Sequence, residues 1–109
     1  MMKISRHWGV ALLGATAALC SVSAQAQSSA QLHQRATAAT CANCHGTDGR
    51  GVSGAAVPNL AGMPKVYMVT QLKAFRDGTR TATVMHQLTK GLTEQQIESV
   101  ADYFAALKP

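Results

Sequence analysis

The sequence predicts an all-α fold, and three observations carry the prediction. Apolar side chains recur at i, i+4 and i+7 in segments punctuated by Pro64, Gly78 and a Thr93-x-x-Gln96 pair. The alternation of β-branched residues that marks strands is absent. Cys41-Ala42-Asn43-Cys44-His45 is a C-x-x-C-H run, the attachment signature of a c-type haem. The expected architecture is therefore three main helices and loops wrapped around one covalent haem. Two thiols separated by two residues can each form a thioether to one edge of a porphyrin. His45 then lies beneath the iron as the proximal ligand.

The chain has 109 residues, room for one domain. Residues 1–26 read as a secretory signal peptide: Lys3, Arg6 and His7, an apolar run from Trp8 to Leu19, then an Ala24-Gln25-Ala26 cleavage site. The apolar run falls short of the roughly 20 residues of a membrane span, so no stable membrane insertion is expected after cleavage. An uncleaved anchor is the weaker reading. So is lipidation at Cys20, because Leu19 stands where a small residue is expected. Residues 27–109 are left as the haem domain. Cys20 leaves with the leader, so only Cys41 and Cys44 remain. Lys3 and Arg6 leave too, and the remaining charges are scattered with a mild basic excess. Nucleic-acid binding has little support from such a pattern. A domain this small lies near the limit at which a staple is needed, and a covalent haem would supply it.

The first helix is expected from Ser28 to Thr40, capped by Ser28 or Ser29, with Leu32, Ala36 and Ala39 on its inner face. It leads directly into the haem motif. Gly46, Gly49, Gly51 and Gly54 follow in a loop whose backbone is expected to approach a flat ligand. No Gly-x-Gly-x-x-Gly or Walker pattern follows a strand, so a nucleotide site has little support. The second helix starts near Pro64 and stops at Gly78. Met68, Leu72 and Phe75 share a face, with Val69 and Tyr67 beside them. The stretch from Thr79 to Gly91 reads as irregular. The third helix begins at the Thr93/Gln96 capping box and carries Ile97, Val100, Ala101, Phe104 and Leu107 as its core stripe.

An iron held by one histidine has a sixth position to fill. Methionine there raises the potential and closes the site to substrate. Met63, Met68 and Met85 are the candidates. Met68 lies on a helix face, where methionine is commonly core filler. Met63 borders the glycine loop. Met85 lies in the irregular stretch, from which a loop can carry a side chain over the far haem face. His86, its neighbour, would as the sixth ligand give a bis-His iron of lower potential, but it reads, like His33, as a surface residue.

In the order and spacing of its motifs the chain resembles the class I c-type cytochromes, including one domain of the di-haem periplasmic cytochromes. The resemblance rests on Cys41 to Gly46 with Asp48, Gly49 and Gly51, and on Pro58-Asn59-Leu60-Ala61-Gly62. It continues through Tyr67, Gln71-Leu72, Phe75 to Gly78, Arg80 and Met85, and ends with Ile97 and Ala101 to Phe104. It implies the small cytochrome c fold. Cys41 and Cys44 match the thioether cysteines, His45 the proximal ligand and Met85 the distal methionine. Pro58 matches the proline whose carbonyl accepts a hydrogen bond from the proximal imidazole. Tyr67, Gln71 and Arg80 match positions that line the haem pocket or meet a propionate. One CxxCH is present, so the two-haem form is excluded for this chain.

The expected function is that of a soluble periplasmic electron carrier, not an enzyme. Asp48, Asp77, Glu94, Glu98 and Asp102 read as surface or helix-terminal charges rather than a paired catalytic site. Its partners would be redox donors and acceptors met transiently at the haem edge, rimmed by Lys65, Lys73 or Lys90. The alternative is a haem-bearing subunit of a periplasmic dehydrogenase or oxidase. A peroxidase or gas-binding haem would need Met85 displaced. A thioredoxin-like dithiol lacks its βαβ setting, and a zinc site recruiting His33 or His86 lacks a second close ligand pair.

Overall fold

The computed structural model describes residues 27–109, and the expected leader lies outside the described residues. Among the described residues there are five α-helices and one 3₁₀ turn, with no strand. They are α1 (Ser29–Ala39), α2 (Ala42–His45), the turn Thr47–Gly49, α3 (Lys65–Arg76), α4 (Met85–Lys90) and α5 (Glu94–Ala105).

Both long terminal helices start at reciprocal caps. The Ser28 hydroxyl accepts from the Gln31 N–H at 3.3 Å, and the Gln31 side chain accepts from the Ser28 N–H at 3.0 Å. Thr93 and Gln96 repeat the arrangement at the head of α5, at 2.9 and 3.2 Å. Two orphan N–H groups are satisfied at each start, which fixes the entry of the chain. Pro64 is the residue before α3, and Gly78 follows its end with φ +76°, closing the helix by a bond from its N–H to the Phe75 carbonyl.

α5 is the central element. It packs against both α1 and α3, and α3 packs in turn against α4. Ile97, Val100, Ala101 and Phe104 are buried, as the helical stripe predicts, and they meet Ala38 of α1 and Met68 and Leu72 of α3. Ile97 and Phe104 are 0% and 1% exposed. Burial of each stabilises the fold by about 1.5–3 kcal/mol. Outside this core, Lys65 pairs with Glu98 and Asp102, and Lys73 and Arg76 pair with Glu94, stitching α3 to α5 along solvent.

Three expectations are corrected. The inner face of α1 is not Leu32, Ala36 and Ala39; all three are exposed, Leu32 at 53%. The helix meets α5 through Ala38, whose small side chain allows close approach, and through Gln34, whose amide donates to the Ser99 carbonyl at 2.9 Å. A polar residue sits on the inner face because a backbone acceptor faces it. Secondly, the irregular stretch contains α4, so Met85 opens a short helix rather than riding on a loop. Thirdly, Gly46, Gly49, Gly51 and Gly54 do not line the cavity, although Ala56, Val57 and Pro58 further along the loop do. Gly49 turns at φ +72° directly under Phe104 and Leu60; a Cβ there would lie 2.9 Å and 2.8 Å from them. Its close approach is to the core.

Candidate haem site

One cavity of about 520 Å³ lies between the segment 40–60 and the wall formed by α3, α4 and the chain leading to α5. That volume is typical of a cofactor site. Cys41, Cys44 and His45 line one side, with Pro58 and Leu60. Tyr67, Met68, Gln71, Leu72, Phe75, Arg80, Met85, Leu88 and Thr89 line the rest.

The proximal side is built from the haem motif itself. α2 is a single helical turn, with the His45 N–H bonded to the Cys41 carbonyl at 3.0 Å. It gathers both thiols and the imidazole on one short segment. Cys41 is partly buried and Cys44 exposed, and neither is in a disulfide. Burial pushes the Cys41 thiol up, opposed by a hydrogen bond with Thr40, while the neighbouring Cys44 adds to the rise. His45 is 7% exposed, and its Nδ1 lies 2.7 Å from the Pro58 carbonyl oxygen. A carbonyl only accepts, so Nδ1 carries the proton and donates. Nε2 keeps its lone pair and is the nitrogen available to a metal.

Pro58 is held in place by its neighbours. The Asn59 side chain accepts from the Gly51 N–H at 2.7 Å, and the Leu60 N–H donates to the Gly49 carbonyl at 2.8 Å. These two bonds draw the residues after Pro58 onto the turn that follows the haem motif. Asn59 thus ties the segment that carries Pro58 to Gly51.

All three candidate methionines line the cavity. Met68 is 3% exposed and belongs to the buried core, while Met63 and Met85 are half-buried at its margin. His33 is exposed, as expected, but His86 is half-buried rather than a surface residue, its Nδ1 enclosed with no hydrogen-bond partner among the described residues, and neither lines the cavity. The Arg80 guanidinium donates to the Gln71 side-chain oxygen and stacks 4.5 Å over the Phe75 ring. Among the described residues, Arg80 is the one lining side chain with a formal charge at neutral pH. An apolar cavity with a fixed cation, two thiols and a lone-pair imidazole suits a flat apolar ring bearing carboxylate tails. The residues present therefore fit a haem. None of the expected lysines lines the cavity, and Lys65 and Lys73 are committed to carboxylates on the α3–α5 seam. Both pairs are exposed to solvent, and Lys90 is exposed as well. Among the described residues, no cluster of three or more His, Cys, Asp or Glu side chains is placed to hold a metal ion.

An all-helical shell around one apolar cavity that carries CxxCH on its wall defines a covalent haem domain. The Cytochrome c family model matches residues 33–108, and the chain belongs to that family. The cofactor is thus one covalent haem c, with Cys41 and Cys44 in the attachment spacing. The chain is 43% identical over 72 residues to the thiosulfate dehydrogenase electron acceptor of Thiomonas intermedia, covering 66% of this chain and 33% of that protein. It is also 43% identical over 68 residues to the cytochrome subunit of sulfide dehydrogenase of Chlorobaculum tepidum, covering 62% and 60%. The cytochrome c4 structure from Acidithiobacillus ferrooxidans superposes with a TM-score of 0.63 at 34% identity, covering 72% of this chain and 49% of that one. The chain spans from a third to three fifths of the length of these proteins.

Proposed function

We propose that this domain is a soluble one-electron carrier, exported to the periplasm after cleavage of residues 1–26, with His45 and Met85 as the axial ligands of its haem. The cofactor supplies an iron that alternates between ferric and ferrous states. The chain's own residues supply the rest. Cys41 and Cys44 hold the ring covalently, and Pro58 fixes the tautomer and orientation of His45. Met85 offers a thioether to the same cavity, whose lining is mostly apolar. The observation that carries the reading is that both thiols, His45 and Met85 border a single cavity. The matching position in the family pattern favours Met85 over Met63, and the place of Met68 on the buried face of α3 supports a packing role for that residue.

A carrier rather than an enzyme is supported by where the acids lie. Asp48, Asp77, Glu94, Glu98 and Asp102 all stand in surface ion pairs, and none lines the cavity. Partners would be redox proteins met briefly, through an interface below about 1,200 Å² in total. No described helix is long and apolar enough to cross a membrane. Intact mass of the exported protein tests export and attachment together: residues 27–109 plus one haem is the expected species. Met85→Ala should abolish the sulfur-to-iron absorption band of the ferric protein and lower its potential. A variant with both properties unchanged would remove Met85 as ligand.

The second reading is a fixed haem subunit of a dehydrogenase. It is favoured by the names of two relatives, an electron acceptor of thiosulfate dehydrogenase and a cytochrome subunit of sulfide dehydrogenase. Native purification separates the two: a monomer supports the carrier, a stable complex the subunit.

A further inference from the structure

α4 carries Met85 at its first position, and little in the helix itself holds it there. It has six residues, and the preceding Val84 provides no side-chain cap. Helices this short are not stable alone, because nucleation costs more than one turn of bonds returns. Its one fully buried residue is Thr89, 1% exposed, four positions on from Met85 and therefore on the same face. The Thr89 hydroxyl donates to the Met85 carbonyl at 2.8 Å. The Thr89 carbonyl in turn accepts from the Leu92 N–H at 3.0 Å, at the head of the approach to α5. Both Met85 and Thr89 line the cavity.

A buried hydroxyl costs free energy unless it is hydrogen-bonded, and valine would fill the same volume without that cost. Thr37 and Thr70 make the same bond to the carbonyl four residues back, but neither of these is buried. There, water can replace the bond. At Thr89 the Met85 carbonyl is the hydroxyl's partner and the surroundings exclude solvent. We propose that Thr89 is a positioning residue for Met85: its buried hydroxyl clamps the first carbonyl of α4 and so sets where the thioether meets the cavity. The proposal rests on Met85 being the distal ligand.

The test is imidazole binding to the ferric holoprotein, which competes with the distal ligand, alongside the thermal loss of the sulfur-to-iron band and the global melt. Thr89→Val should raise imidazole affinity about 3- to 10-fold, the worth of one hydrogen bond. It should also bring loss of the band to a lower temperature relative to the global melt. Thr89→Ser, which keeps the donor, should stay close to the parent, and Thr70→Val should change neither readout. If Thr89→Val does not accumulate, Thr89→Ala against Thr89→Ser makes the same comparison at smaller volume. Equal effects in Thr89→Val and Thr70→Val, or a serine variant that behaves like the valine one, would overturn the clamp. Met85→Ala is the separate control. If it leaves imidazole affinity unchanged, the ligand assignment fails first and the clamp falls with it.

Discussion

Replacing Gly49 by alanine tests how tightly the turn after the haem motif is pressed onto the core. The position has φ +72°, where an L side chain costs about 1–2 kcal/mol, partly offset by about 0.4–1 kcal/mol from a stiffer unfolded chain. The net backbone effect is about 1 kcal/mol. A Cβ would also lie 2.8 Å from Leu60 Cβ and 2.9 Å from two atoms of the Phe104 ring. Phe104 is 1% exposed and cannot swing away, so overpacking adds about 1–3 kcal/mol. Gly54 is the matched control: its φ is +80°, but nothing stands within 4 Å of its Cβ position. Chemical denaturation of the two holoprotein variants should show Gly49→Ala losing about 2–4 kcal/mol and Gly54→Ala about 1 kcal/mol. In thermal melts 1 kcal/mol corresponds to roughly 4–8 °C for a domain of this size. Equal losses at the two positions would refute the steric argument, since only the backbone term would then remain.

Other outcomes follow from single contacts. The Tyr103 hydroxyl donates to Asp48 at 2.7 Å, and that bond, with burial, holds the phenol above its usual range. Its contribution is present below about pH 10 and is lost as pH rises through the folded-state value. Tyr103→Phe should therefore cost about 1 kcal/mol at neutral pH and flatten the alkaline limb of the stability profile. Hydrogen bonds from Lys73 and Arg76 hold the Glu94 carboxyl below its ordinary value. Stability from that group is present above the ordinary carboxylate range and is lost as pH falls through the lowered value. A pH titration of Glu94→Gln should lack that acid-side component. Phe104→Ala should lose about 3–5 kcal/mol in a urea melt. The double variant Cys41→Ser, Cys44→Ser, which cannot attach the cofactor, should show no cooperative melt by circular dichroism.

Much of the fold was legible because its helices announce their ends. Ser28, Pro64, Gly78 and the Thr93/Gln96 pair mark boundaries that match the structure within a residue, since caps act locally. The stripe Ile97, Val100, Ala101 and Phe104 was legible because α5 buries one continuous face. α4 was not legible by the same logic: it has six residues, no capping side chain and too few turns to show a period. The spacing of Met85, Leu88 and Leu92 is the signal that points to it, and all three line the cavity. α1 misled because its contact with α5 uses a small residue and a side-chain amide, neither of which has a hydropathy signature. At the site, the spacing of Cys41, Cys44 and His45 identifies itself. The Pro58 contact needed the family pattern, because Pro58 lies thirteen positions along the chain from His45 and no local rule fixes such a bond. The charges on Lys65 and Lys73 were visible, but their partners on α5 were not, because pairing depends on which helix faces which.

The position of α5 has a consequence for the order of assembly. The contact of Gln34 with Ser99 spans 65 residues, and Phe104 seals the turn at Gly49 from a similar distance along the chain. Bringing such distant segments together carries an entropic penalty that only the finished core repays. Until α5 docks, Gln34 and the turn at Gly49 both lack their partners, so α5 is the one strap that ties the two ends of the domain to each other.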